Sequence, residues 1–113
     1  MKLITAVLQP GTLQPIKSAL EHVGVKGLTV VDARGYGAQA GKVEVYRARE
    51  VRVDFVPKIR IEVIVADEQA TAAIDAIQET ARTGSIGDGK IWVTDVVEVV
   101  RVRTGETGDA AVS

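Results

Sequence analysis

The chain is 113 residues long, enough for one domain and too short for two. Hydrophobic residues make up 46 % and charged residues 26 %, which excludes a disordered chain, and the net charge of −1 excludes the basic field of a general nucleic-acid binder. There is no cysteine, which excludes disulfides, thiolate chemistry and cysteine-based zinc sites and fits a reducing cytosol. With aromatic residues at only 4 %, the core must be built from Val, Ile, Leu and Ala, a composition that favours sheet.

Lys2 to Leu8 is a short apolar run that reads as a buried strand, too short for a signal peptide or a membrane span. Gln9-Pro10-Gly11 breaks it. Thr12 is placed to cap a helix whose stripe is Leu13, Ile16, Ala19, Leu20 and Val23, and Gly24 stops it. Leu28 to Tyr36 reads as a second strand and the alternation from Ile59 to Val65 as a third. Between them, Gly35 to Asp54 opens on Gly35, Gly37 and Gly41 and then partly alternates. It reads either as a long hairpin or as a mobile arm presenting apolar and basic residues to a partner. Asp67 is placed to cap a second helix with the stripe Ala70, Ala73, Ile74, Ile77 and Ala81, ended by Gly84. Ile91-Trp92-Val93 starts a fourth strand, Val97 to Arg103 suggests a short fifth, and residues 105–113 read as a small, polar, mobile tail.

The order is βαβ, a long insertion, βαβ, which predicts an α+β, ferredoxin-like sandwich over a single domain 1–113, with both helices on one face of an antiparallel sheet. The first strand is apolar on both faces, since Ile4, Ala6 and Leu8 alternate with Leu3 and Val7. The helix-free face needs a cover, and further copies of the chain are the simplest one.

The most informative segment is Thr83 to Val93. Gly84, Gly87 and Gly89 let backbone N–H groups converge on an anion, and Lys90 adds a charge. The spacing matches the opening of a P-loop, but Ile91 stands where magnesium needs Ser or Thr and a strand follows instead of a helix, so that motif is rejected. The bland reading is a glycine turn. Arg101 and Arg103, two apart on the expected fifth strand, would share a face and join Lys90 as three cations near the ends of adjacent strands; alone they would be an ordinary charged edge. His22 has no second histidine for a metal, and Ser18, Ser85 and Ser113 have no evident base, so no nucleophile is identified.

The glycine loop running into Ile91-Trp92-Val93, followed by Val100-Arg101-Val102-Arg103-Thr104-Gly105-Glu106, resembles the PII signal-transduction family, and the resemblance covers nearly the whole chain. It implies a homotrimer with ATP or ADP in the clefts between subunits, 2-oxoglutarate as effector bound through Mg2+ beside ATP, a cytoplasmic location and no enzymatic activity. Thr29 and Ile64 would line the base pocket, with Gly35 and Gly37 also beside the nucleotide. Gly87, Asp88, Gly89 and Lys90 would hold phosphates, joined by Arg101 and Arg103 across the subunit boundary. Gln39 would be the ligand of magnesium, and Gly41, Lys58 and Gly87 would complete the 2-oxoglutarate site. Residues 37–53 would be the partner-binding T-loop, with Lys42, Tyr46, Arg47, Arg49 and Val51 in it, docking on an ammonium channel, an enzyme or a regulator of nitrogen metabolism. Val51 stands where many members carry the uridylylated tyrosine, and Arg49 where cyanobacterial members carry a phosphoserine. Ala38, Ala40, Gln9 and Gly11 also depart from the common pattern. They motivate an alternative, a PII-like adenine-nucleotide sensor of a different small anion. A slow ATPase and a structural trimer of CutA type are further alternatives, but no base is evident beside Lys90 and a purely structural trimer has no need of the three cations.

Overall fold

The computed structural model describes residues 1–37, 42–46, 49–53 and 55–112, with backbone alone for 42–46 and 49–53. Its elements run β1 (Lys2–Leu8), α1 (Leu13–His22), β2 (Thr29–Gly35), β3 (Lys42–Tyr46), β4 (Arg49–Val53), β5 (Val56–Val65), α2 (Ala70–Ala81), β6 (Gly89–Asp95) and α3 (Asp109–Val112). The four-stranded sheet has the order β2-β5-β1-β6, with every neighbour antiparallel. Each βαβ half is therefore split by a strand of the other, which is the expected sandwich. β3 and β4 form a separate antiparallel pair in which Tyr46 opposes Arg49, so the hairpin reading of the insertion holds for its two strands.

Alternation decides which face of the sheet meets the helices. Ile4, Ala6 and Leu8 of β1 and Ile59, Ile61, Val63 and Val65 of β5 are buried in one core with Ile16 and Leu20 of α1 and Ala73, Ile77 and Ala81 of α2. On the other face, Val31, Ile64 and Trp92 are 50 %, 40 % and 43 % exposed, which leaves large apolar side chains open on the helix-free side. No helix among the described residues is long and apolar enough to cross a membrane.

Helix ends and the C-terminal segment differ from the sequence reading. Thr12 flanks α1, but its hydroxyl donates back to the Gln9 carbonyl at 2.7 Å instead of accepting from a helix N–H. Gly24, at φ +88°, does close α1. Asp67 does not cap α2: it lies in the 3-10 turn Asp67–Gln69 that precedes the helix and pairs with the Met1 ammonium at 2.8 Å, which holds its carboxyl below the usual range. α2 ends at Ala81, before Gly84. The fifth strand does not form. β6 stops at Asp95, Val100 makes only an isolated bridge to Thr107, and residues 102–104 turn. Residues 105–112 also take a defined path, with Gly108 N donating to Val99 O at 3.1 Å ahead of α3.

Candidate functional site

The loop between α2 and β6 is built around one carboxylate. Asp88 accepts from the backbone N–H groups of Thr83 and Gly84 at 2.8 and 2.9 Å, and from the Thr83 hydroxyl. The Thr83 hydroxyl above all, then the Thr83 amide, holds the Asp88 carboxyl below its usual value. Its side chain is thus committed to shaping the loop, and what it offers an anion is its backbone. Gly87 at φ +100° and Gly89 at φ +108° make the tight passage into β6. A Cβ on Gly89 would lie 1.9 Å from the Val7 carbonyl oxygen, so no side chain fits there.

Lys58 on β5 fastens this loop to the base of the arm. The residue is 9 % exposed, and its ammonium donates to Gly87 O at 2.7 Å. Its stem packs on Gly35, where a Cβ would stand 3.3 Å from the lysine chain. Around it lies an open cleft of about 460 Å³ lined by Val7, Gly35, Gly37, Gly87, Gly89 and Lys90, with Tyr36 and Trp92 at its walls. Tyr36 also meets Phe55 with ring centroids 5.9 Å apart, an aromatic clasp between the two ends of the arm.

Thr29 and Ile64 are elsewhere. Together with Glu62, Val99, Ala111 and Val112 they line a second cleft at the other end of the sheet. The length of β2, about 20 Å at the rise of a strand, separates Thr29 from Gly35. Arg101 follows Val99 closely and lies beyond the far end of β6, whereas Lys90 sits at that strand's start. The expectation of three cations gathered near adjacent strand ends, with both arginines on one strand face, is therefore corrected. The missing fifth strand moves the arginines into a turn at the opposite end of the molecule. There Arg101 N–H donates to Glu106 O at 2.9 Å, Gly105 N–H to Arg101 O at 2.8 Å, and Gly105 takes φ +73°. Arg103 is exposed on this turn.

Among the arm residues, Lys42 and Tyr46 fall on β3, and Arg49 and Val51 on β4, with Glu44 opposite Val51. Gln39, Gly41 and Arg47 lie outside the described residues, as do Ala38 and Ala40. Sequence reasoning missed the Asp88 staple and the contributions of Glu62, Val99 and α3 to the second cleft. Glu62 could have been found, because it shares the strand phase of Ile64 and Lys58; the α3 contribution left no signal in that small, polar segment.

A split βαβ sandwich, with a hairpin arm between its halves and a glycine loop fastened to the arm's base, defines a class by fold, the ferredoxin-like α+β chains. Comparison with known proteins narrows it. Residues 1–106 match the family described as nitrogen regulatory protein P-II. The chain is 54 % identical to the nitrogen regulatory protein P-II of Rhizobium meliloti over 108 residues, 96 % of each chain. It is 54 % identical to that of Azospirillum brasilense over 112 residues, 99 % of this chain and all of the relative. Against nitrogen regulatory protein P-II 1 of Escherichia coli the identity is 48 % over the same span. The chain belongs to the PII nitrogen regulatory protein family, and so to the signal transducers rather than the enzymes.

Proposed function

We propose that the chain works as a single-domain, cytoplasmic, homotrimeric sensor that binds ATP or ADP between its copies. The observation that carries this reading is the division of the site. Gly35, Gly37, Gly87, Gly89 and Lys90 gather at one end of the sheet, and Thr29 and Ile64 at the other, the end beyond which Arg101 and Arg103 turn. One chain has the groups for a nucleotide but holds them too far apart for one molecule to touch both sets. Two copies related by rotation bring the first set of one against the second set of the next, and the exposed Val31, Ile64 and Trp92 supply an apolar face for that association.

In this arrangement the base lies against Thr29 and Ile64, and the phosphates lie against the N–H groups of the Gly87–Gly89 turn, Lys90, Arg101 and Arg103. Mg2+ on ATP is held by Gln39, and 2-oxoglutarate takes that metal together with Lys58, Gly41 and Gly87. Lys58 already links the glycine loop to the strand that leaves the arm, so an acid drawing on its ammonium also acts on Gly87 and Gly35. Partner affinity then changes through the different contacts the arm makes with each ligand bound. The partners are an ammonium channel, an enzyme or a regulator of nitrogen metabolism, met through residues 37–53. Val51 carries no hydroxyl, so this sensor works without uridylylation at that position.

Titration calorimetry with ATP and Mg2+, with and without 2-oxoglutarate, tests the reading. Binding of ATP with tighter binding in the presence of 2-oxoglutarate is expected, and no heat with either ATP or ADP would reject it. The departures at Gln9 and Gly11 favour one second reading, a sensor of a different small anion. Retained ATP binding with no effect of 2-oxoglutarate would select it.

A further inference from the structure

The turn that presents Arg101 carries its own anion. Glu106 Oε1 accepts from the Arg101 guanidinium at 2.9 Å and from the Thr104 hydroxyl at 2.8 Å. We propose that Glu106 sets the affinity of the phosphate site: its carboxylate occupies the Arg101 guanidinium as an internal stand-in for a phosphate oxygen, which an incoming polyphosphate must displace. The inference rests on the reading of Arg101 as a phosphate ligand given above.

The competing role for Glu106 is scaffolding, and the geometry separates the two. The turn is closed by the backbone, through Arg101 N–H to Glu106 O and Gly105 N–H to Arg101 O. Neither bond uses the carboxylate. A glutamine in its place keeps an oxygen that can accept from both the guanidinium and the Thr104 hydroxyl, and removes only the charge. That charge has an unfavourable effect on a second anion at the same guanidinium, because like charges at close range repel. The side chains of Arg101 and Glu106 are 31 % and 45 % exposed, so solvent screens the pair and the effect is modest. Glu106 thereby discriminates among anions by charge: a polyphosphate outcompetes one carboxylate for the guanidinium more readily than a singly charged ligand does.

The test is ATP titration calorimetry of the full chain, wild type against Glu106→Gln, at low salt and again at about 0.5 M NaCl. The variant is expected to bind ATP about two- to fivefold more tightly at low salt, with the gain shrinking at high salt and the oligomeric state unchanged. Glu106→Asp keeps the charge but shortens its reach, so it should give a smaller gain of the same sign, and it serves if the glutamine variant does not fold. Equal or weaker binding by a folded variant, or a gain that persists at high salt, overturns the proposal while leaving the nucleotide reading intact. A wild-type chain that gives no heat with ATP overturns both.

Discussion

At the scale of single residues, the site is a set of positions where one atom decides. Gly89 is the clearest, since even a methyl group would collide with the Val7 carbonyl and the residue carrying it would have to hold φ +108°. Gly89→Ala is therefore expected to cost at least about 1–3 kcal/mol, read as a lower urea midpoint with unchanged slope. Arg103 is exposed on its turn and makes no ion pair among the described residues, so Arg103→Ala should leave stability and assembly alone. If Arg103 contacts phosphate, the variant should weaken ATP binding by about tenfold or more, the worth of a charge-assisted hydrogen bond. Unchanged affinity would remove Arg103 from the site. Asp88 makes a pH prediction. Its carboxyl is held below the ordinary 3.8, so the Thr83–Asp88 staple is fully present above that pH and is lost as the pH falls through the lowered value. Carbon-detected NMR titration of the carboxyl should give a midpoint below 3.8, with the Thr83 and Gly84 amide shifts moving together with it.

At the scale of elements, what could be read in the sequence followed periodicity, and what could not be read depended on contacts far apart in the chain. The stripe Ile16, Leu20 on α1 and Ala73, Ile77, Ala81 on α2 repeats at helical spacing, and the structure buries those residues. The alternation Ile59, Ile61, Val63, Val65 placed β5 with the correct inward face. Val97 to Arg103 is rich in valine, yet it does not form a strand. β6 is an edge strand whose pairing ends with β1, and Val96 N–H spends its bond on the Met1 carbonyl. No periodic signal reports that the chain has run past its partner. Asp67 was misread for a related reason: its partner, the Met1 ammonium, lies at the far end of the sequence. The glycine loop was legible as a turn joining helix to strand, but the staple inside it was not, because any Asp near a glycine turn would look the same. The clasp between Tyr36 and Phe55 makes an element-scale prediction. An aromatic pair of this geometry contributes about 0.5–1.5 kcal/mol, and both rings are largely exposed. Phe55→Ala should leave the melting temperature of the sandwich nearly unchanged while amide exchange in the β3–β4 pair speeds up. Equal exchange rates would show that the clasp does not restrain the arm.

At the scale of the whole molecule, the proposed nucleotide site is one that a single chain does not close. Lys90 and Thr29 line separate clefts at opposite ends of the sheet, and the proposed assembly brings one against the other between neighbouring copies. This gives an experiment with opposite outcomes for a site within one chain and a site between chains. Lys90→Ala damages the first set of groups and Arg103→Ala the second, so each pure variant should bind ATP weakly. Co-expressed under two different tags and purified through both, they form mixed assemblies containing clefts that join the intact loop of one copy to the intact arginine turn of the other. ATP titration of the mixed assembly should recover wild-type affinity in a fraction of its sites; affinity no better than that of either parent in every site would contradict a nucleotide held between copies.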